Sequence, residues 1–297
     1  MPLPFTLRQL EYFDAIASEG SFVAAAQRCK LSTSALASAL DELESRLGLQ
    51  LVVRRKGKGV TLAPEGARLL AHARQLLASA EYFASEVSQG ATALTGQLTV
   101  GCFPTLAPFF LPPVIDGFRR AHAGLALEFV EATAPELATL LLNGRIDVAL
   151  LYSVDVAPSL VFEPLREYRP YVIVSTSHRL AGRDAVSLEE LAGEDLIQLD
   201  LQPSRQNTEL MFGRVGLMPR IRHATTNYEL ARCLVGRGLG YSILIQRLAS
   251  SVTYDGHEIT SLEIEGGVPQ NTVGLARPIG AADTARYRTL KDMLSAD

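Results

Sequence analysis

The sequence predicts an α/β protein in three parts: a small helical head closed by a β-hairpin, one long connecting helix, and a larger domain of two α/β lobes. Three observations carry this. Apolar residues recur at helical spacing through the first ~50 positions and then meet a basic, glycine-rich turn. Residues 67–89 run without a helix breaker. From Gln97 the pattern changes to short apolar strands alternating with helical stretches, the signature of parallel α/β lobes.

In the head, Leu7, Leu10, Phe13, Ile16 and Ala17 mark an amphipathic helix that ends at Glu19-Gly20. Ser21 stands where an N-cap belongs, ahead of the short helix FVAAAQRCK, whose alanines 24–26 let another helix approach closely. Ser32 caps a third helix, with Leu36, Leu40, Leu43 and Leu47 on one face and Gly48 as its stop. Two short helices joined by a tight turn make a helix-turn-helix, whose second helix enters the DNA major groove by its N-terminal side chains. Those side chains are Thr33, Ser34, Ala37 and Ser38, with Ser21 and Ser32 beside them. Apolar runs at 51–53 and 60–62 flank Arg54-Arg55-Lys56-Gly57-Lys58-Gly59, a hairpin wing whose charges suit phosphates or the minor groove. Residues 1–63 hold eight Lys/Arg against six acids, a balance of +2 in a chain of net charge −4. The basic charge is therefore concentrated on the small module that would meet duplex.

Proline at 64 and Glu65 suit a helix's first turn. The helix that follows, across 64–90, carries Leu69, Leu70, Leu76, Leu77, Phe83 and Val87 as an apolar stripe. Pairing with the same helix of a second subunit would cover that stripe; packing on the chain's own domains is the alternative. Residues 91–96, within GATALTG, read as a hinge.

Beyond the hinge, strands are expected at 98–103, 125–131 and 147–152, with helices between them. A second series follows, with strands at 170–175, 195–199, 220–224 and 241–244 and helices near 187–191, 204–215 and 228–236. Residues 97–166 and 268–297 form one lobe and 167–267 the other. Ligands of open α/β sheets bind beyond the carboxyl ends of strands. Small hydroxyl or amide groups stand at four such junctions: Thr105, Thr133, Ser204 and Thr226-Asn227. All lie at or near helix N-termini, where free N–H groups favour an anion, although capping alone would explain each singly. A carboxylate or other small anion is the expected ligand, with Arg205 adding charge and Tyr152 a wall.

These motifs resemble the LysR-type transcriptional regulators. The resemblance rests on Leu7-x-x-Leu10-x-x-Phe13, Gly20-Ser21-Phe22-x-x-Ala25-Ala26, Leu31-Ser32-x-Ser34-Ala35-Leu36, Leu43-Glu44-x-x-Leu47-Gly48, Leu51-x-x-Arg54 and Leu62-Ala63-Pro64-Glu65-Gly66, and extends along the chain. It implies a two-lobed, periplasmic-binding-protein-like (type 2) effector domain and a role for Arg54 on DNA. It also implies double-stranded promoter DNA and a small-molecule effector as partners, RNA polymerase as a further one, and dimers through the linker helix assembling into homotetramers. Thr33-Ser34 and Ala37-Ser38 depart from the longer polar residues common there, and Val52 replaces a usual Phe, so readout leans on hydroxyls, wing arginines and DNA shape.

Other functions fit less well. Five scattered histidines, and no H-E-x-x-H, G-x-S-x-G or phosphate-binding glycine loop after a strand, argue against an enzyme. A small-molecule-binding protein without DNA function would leave residues 1–90 unexplained. Cys29, Cys102 and Cys233 are too widely spaced for a zinc site or disulfide, and peroxide-sensing relatives carry their cysteine pair near the equivalent of 199–206, where this chain has none. No cofactor or metal is expected. The N-terminus lacks a signal-peptide pattern and the apolar runs fall short of the ~20 residues a bilayer needs, so a cytoplasmic location is expected and no membrane partner.

Overall fold

The computed structural model describes residues 3–55, 59–87, 94–266 and 268–295. Each head helix opens on a hydroxyl cap. Thr6 accepts from the Gln9 amide and Gln9 reaches back to the Thr6 amide, starting α1 (Leu7–Glu19). Ser21 caps α2 (Phe22–Arg28), and Ser32 caps α3 (Thr33–Leu47), which ends at Gly48. The hairpin strands β1 (Val52–Arg55) and β2 (Gly59–Leu62) pair antiparallel. Lys56 and Lys58, at its tip, lie outside the described residues, as does the Arg55 side chain.

Helix α4 (Pro64–Val87) leaves the hairpin at once. Its first turn lies on the Leu51 backbone so closely that a Cβ at Gly66 would fall 1.9 Å from the Leu51 carbonyl oxygen. Phe13, Ile16, Ala25, Ala26, Leu36, Leu40, Leu43 and Leu51 form the head core, and Leu70 and Ala73 of α4 complete it. The apolar stripe of α4 therefore divides. Leu69, Leu70 and Leu77 pack on the chain's own head, while Leu76 and Phe83 face outward at 45% and 72% exposure. Residues 88–90 of the expected helix and 91–93 of the expected hinge lie outside the described residues.

The first lobe holds β3 (Gly96–Cys102), α5 (Ala107–Ala121), β4 (Leu125–Glu131), α6 (Ala134–Leu142), β5 (Val148–Tyr152) and β6 (Leu160–Tyr168). The second holds β7 (Tyr171–Ser175), β8 (Ala185–Val186), α7 (Leu188–Leu191), β9 (Asp195–Leu199), α8 (Ser204–Arg214), β10 (Arg220–Thr225), α9 (Tyr228–Gly236), β11 (Ser242–Leu244) and β12 (Ile259–Ile264). The chain then returns to the first lobe as β13 (Asn271–Pro278) and α10 (Ala285–Ser295). The first-lobe sheet runs β4-β3-β5-β13-β6; the first three strands are parallel and β13 is antiparallel to both its neighbours. In the second lobe β9 and β10 pair in parallel, and a four-stranded β11-β7-β12-β8 sheet joins them through a Leu196–Tyr241 bridge. Two crossings, Tyr168 to Tyr171 and Ile264 to Asn271, link the lobes. β6, β8 and β12 extend the architecture beyond the strands legible in the sequence.

Candidate functional site: a hydroxyl-bearing helix face and an interlobe cleft

The exposed start of α3 carries short polar groups. Ser32, Thr33, Ser34 and Ser38 are exposed and Ala37 is half-buried. The Ser32 hydroxyl accepts from the Ala35 amide and lies 3.1 Å from that of Ser34. Ser21 is half-buried, its hydroxyl accepting from the Ala24 amide. Arg54, half-exposed on β1, pairs with Asp41 of α3 at 2.5 Å, and its guanidinium sits 4.7 Å above the Phe22 ring. One arginine thus contacts both helices of the helix-turn-helix. Glu44, deeper in α3, accepts from the Leu51 and Val52 amides at 2.6 and 3.0 Å. It fixes the hairpin's angle to the helix.

The second set of candidates stands at strand ends of the two lobes. Thr105 and Thr133 follow β3 and β4, neighbouring parallel strands; Ser204 and Thr226-Asn227 follow β9 and β10, also neighbours. Their environments differ. Thr105 is buried, its hydroxyl 3.3 Å from the Tyr152 hydroxyl. Ser204 is buried in the first turn of α8, and its carbonyl accepts from the Thr208 hydroxyl. Thr133, Thr226 and Asn227 are exposed. The Thr133 hydroxyl donates to Glu136 at 2.7 Å, which holds that carboxyl below its ordinary range. Asn227 caps α9 by accepting from the Leu230 amide. Arg205 pairs with Asp200 and Glu209.

Residues not singled out from the sequence join the two lobes. Gln246, buried just after β11, donates its side-chain amide to Tyr152 of the first lobe at 3.3 Å. The backbone carbonyl of Gln246 accepts from the hydroxyls of Tyr171 and Tyr228. Phe109 of α5 meets the Tyr228 ring edge-on across the gap, with centroids 6.2 Å apart. Burial pushes the Tyr152 hydroxyl up to about 12, so it remains a neutral hydrogen-bonding group. Asn207 of α8 donates to Asn271 at 2.6 Å, tying the second lobe to the start of the returning strand. The period of a single strand or helix marks none of these groups, because they come from separate elements.

The three thiols are unpaired; Cys102 is buried and the other two half-buried. Burial raises all three above the ordinary thiol range. Among the described residues no His/Cys/Asp/Glu cluster could hold a metal, and no helix is long and apolar enough to cross a membrane.

Comparison with known proteins agrees with this geometry. Residues 7–67 match the family described as "Bacterial regulatory helix-turn-helix protein, lysR family", and residues 91–297 match "LysR substrate binding domain". A hydrogen peroxide-inducible genes activator of Dickeya chrysanthemi is 28% identical over 293 residues, covering 96% of this chain and 93% of its own. The crystal structure of HinK, a LysR family transcriptional regulator from Pseudomonas aeruginosa, is 34% identical, covers 99% of this chain and 98% of its own, and superposes with a TM-score of 0.65. A Corynebacterium glutamicum OxyR C206 mutant is 29% identical over 98% of this chain and 91% of its own, with a TM-score of 0.68. With a helix-turn-helix head, a two-lobed effector domain and regulators rather than enzymes as its relatives, the chain belongs to the LysR family of transcription regulators.

Proposed function

We propose that this regulator reads its promoter through the start of α3 and the hairpin, and that a small anionic metabolite held between the lobes changes how it does so. The observation that carries the DNA half is the row of exposed hydroxyls at Ser32, Thr33, Ser34 and Ser38, flanked by Arg54 from the wing. Short hydroxyls read base edges only at close range, so the helix must sit deep in the groove. Ala37 offers a methyl contact, and Ser21, Arg55, Lys56 and Lys58 take the backbone. The parts act as a DNA-binding domain over 1–63, a linker helix over 64–90, a hinge over 91–96 and an effector domain over 97–297. The outward Leu76 and Phe83 of α4 support dimerisation through this helix, with tetramers built from two dimers. RNA polymerase is the further partner, in the cytoplasm.

For the effector half, Thr105 and Ser204 are the inner contacts, and Thr133, Thr226 and Asn227 form the rim. The end of α8 at Ser204 supports a carboxylate or similar small anion. A neutral, hydroxylated ligand is the second reading. It is favoured by Glu136 on Thr133, by the neutralised Arg205, and by the hydroxyls and carboxamide of Tyr152, Tyr171, Tyr228 and Gln246. A peroxide response, suggested by the name of the Dickeya relative, is disfavoured because burial raises all three thiols and so disfavours the reactive thiolate. Two measurements test the proposal. The chain's own upstream DNA should shift on a gel, whereas scrambled DNA should not. A thermal-shift screen of small carboxylates beside neutral polyols should raise the melting point with one class. Equal binding to both DNAs overturns sequence-specific reading. A response to polyols alone overturns the anion.

A further inference from the structure

The guanidinium of Arg74, on the inner side of α4, has three sets of partners. Its Nε pairs with Asp14 of α1 at 2.5 Å, and its Nη2 donates to the Ser18 hydroxyl at 2.9 Å. Its Nη1 donates to the backbone carbonyl of Asn143 at 2.9 Å. Asn143 is the C-cap of α6, in the first effector lobe. The side chain lies flat against the next residue: a Cβ added at Gly144 would fall 2.7 Å from Arg74 Cδ, and the Gly144 backbone is left-handed at φ +60°. On the head side, Asp14 also pairs with Arg28, at the end of the first helix of the helix-turn-helix. A cavity of about 90 Å³ adjoins the contact, lined by Arg74, Gly144 and Asp147 together with Leu141, Ile146 and Tyr287 among others.

The element that Arg74 touches begins at the cleft. Thr133, among the proposed effector contacts, is the N-cap of α6; Asn143 is its C-cap, nine helical residues later. That is a rod of about 14 Å at ordinary helical rise. Buried Leu137 and Leu141 hold it to the sheet, and a Cβ at Gly101 would come within 2.6 Å of the Leu137 side chain. A helix seated so closely moves with its lobe rather than bending within it.

We infer that Arg74 is a coupling latch: α6 works as a strut between the effector cleft and the DNA-binding head, and Arg74 joins its far end to α1. The inference deepens the proposed cleft reading at Thr133, but the junction itself is independent of which molecule fills the cleft. Arginine suits the task because its planar fork reaches a carboxylate, a hydroxyl and a carbonyl at once, which a single ammonium does not.

Coupling is reciprocal, so DNA on the head must be felt at the end of α6. The amides of Asn143, Gly144 and Arg145 are hydrogen-bonded to Thr139, Leu141 and Leu140, and report on that end by hydrogen exchange. The experiment compares full-length wild type, Arg74→Ala and Arg74→Lys, each with and without a duplex of the chain's own upstream DNA. In wild type, DNA should slow exchange at 143–145 by about fivefold, the low end of ordinary coupling between sites. In both variants the slowing should vanish while the gel shift persists. Arg74→Lys keeps the charge opposite Asp14, so it covers the case in which alanine unsettles the head. Unchanged exchange in wild type, or equal slowing in wild type and the lysine variant, overturns the latch. Failure to bind DNA at all is read on the gel and counts against the DNA reading instead.

Discussion

Replacing Arg54 with alanine separates what the wing does for DNA from what it does for the fold. In the free protein Arg54 holds Asp41 and covers Phe22, but Arg54 and Asp41 are 50% and 59% exposed. An ion pair that wet contributes ~0–1 kcal/mol, and an exposed cation over a ring about as much. The head should therefore lose no more than ~1–2 kcal/mol. On DNA the same side chain is proposed to meet a phosphate, or a base edge beside it. Losing it should weaken binding by roughly 10- to 100-fold, ~1.4–2.8 kcal/mol. If phosphate is the partner, the slope of log affinity against log salt should also become shallower by about 0.9 for each subunit engaged. Fluorescence anisotropy with a labelled upstream duplex at several salt concentrations reads both quantities, and a thermal melt of the same samples reads the fold. Asp41→Asn is the companion variant. It releases the guanidinium and removes a negative charge near the duplex, so binding should tighten a few-fold. Wild-type affinity and salt slope in Arg54→Ala would refute the placement of the wing on DNA. A melt showing the head unfolded would refute the claim that Arg54 acts mainly on DNA.

Leu36 is fully buried in the head core, so Leu36→Ala should cost ~2–5 kcal/mol and abolish DNA binding by unfolding the head, visible as an early transition in calorimetry. Glu163 accepts from Lys291, and also meets Tyr287 and Arg277; the Lys291 hydrogen bond is the main force drawing its carboxyl down to about 2. A carboxyl depressed on folding stabilises above its unfolded value, near ~4.3, and that support is lost as pH falls toward about 2. After allowance for its partial exposure, the loss should be ~1–2 kcal/mol. Acid melts should show it in wild type and much less in Glu163→Gln; parallel curves would exclude it. Substituting Cys29, Cys102 and Cys233 together by serine or alanine should leave DNA binding unchanged by peroxide, as in wild type. A peroxide response in wild type that the variant loses would restore a redox role.

The head was legible because its signals are local. Hydroxyl caps at Ser21 and Ser32, the 3.6-residue period through Leu36, Leu40 and Leu43, and the glycine stop at 48 all act within a few residues of one another. The strands that escaped notice break local rules for tertiary reasons. β6 carries Pro164 in its interior, which reads as a turn, but it is the outermost strand of its sheet, where a missing N–H is tolerated. β12 alternates buried Ile259, Leu262 and Ile264 with Glu263 and Ser261, too mixed for the continuous apolar run sought elsewhere. The strand-end rule pointed to Thr105 and Ser204, both buried, but not to Gln246 or its tyrosines. Tyr171 begins a strand, Tyr228 begins a helix, and Gln246 follows another strand; the folding of the second lobe gathers these three, and only the Gln246 amide reaches the first lobe, at Tyr152.

The side-chain amide of Gln246, which reaches across to the Tyr152 hydroxyl of the other lobe, has a consequence for selectivity. A guest that prises the lobes apart strands both groups in a dry crevice unless it brings polar atoms of its own. A misfit is therefore rejected less by collision than by the hydrogen bond it leaves unmade. Receptors built this way should discriminate sharply among molecules of one outline that differ by a single oxygen, and tolerate added hydrocarbon far from that point.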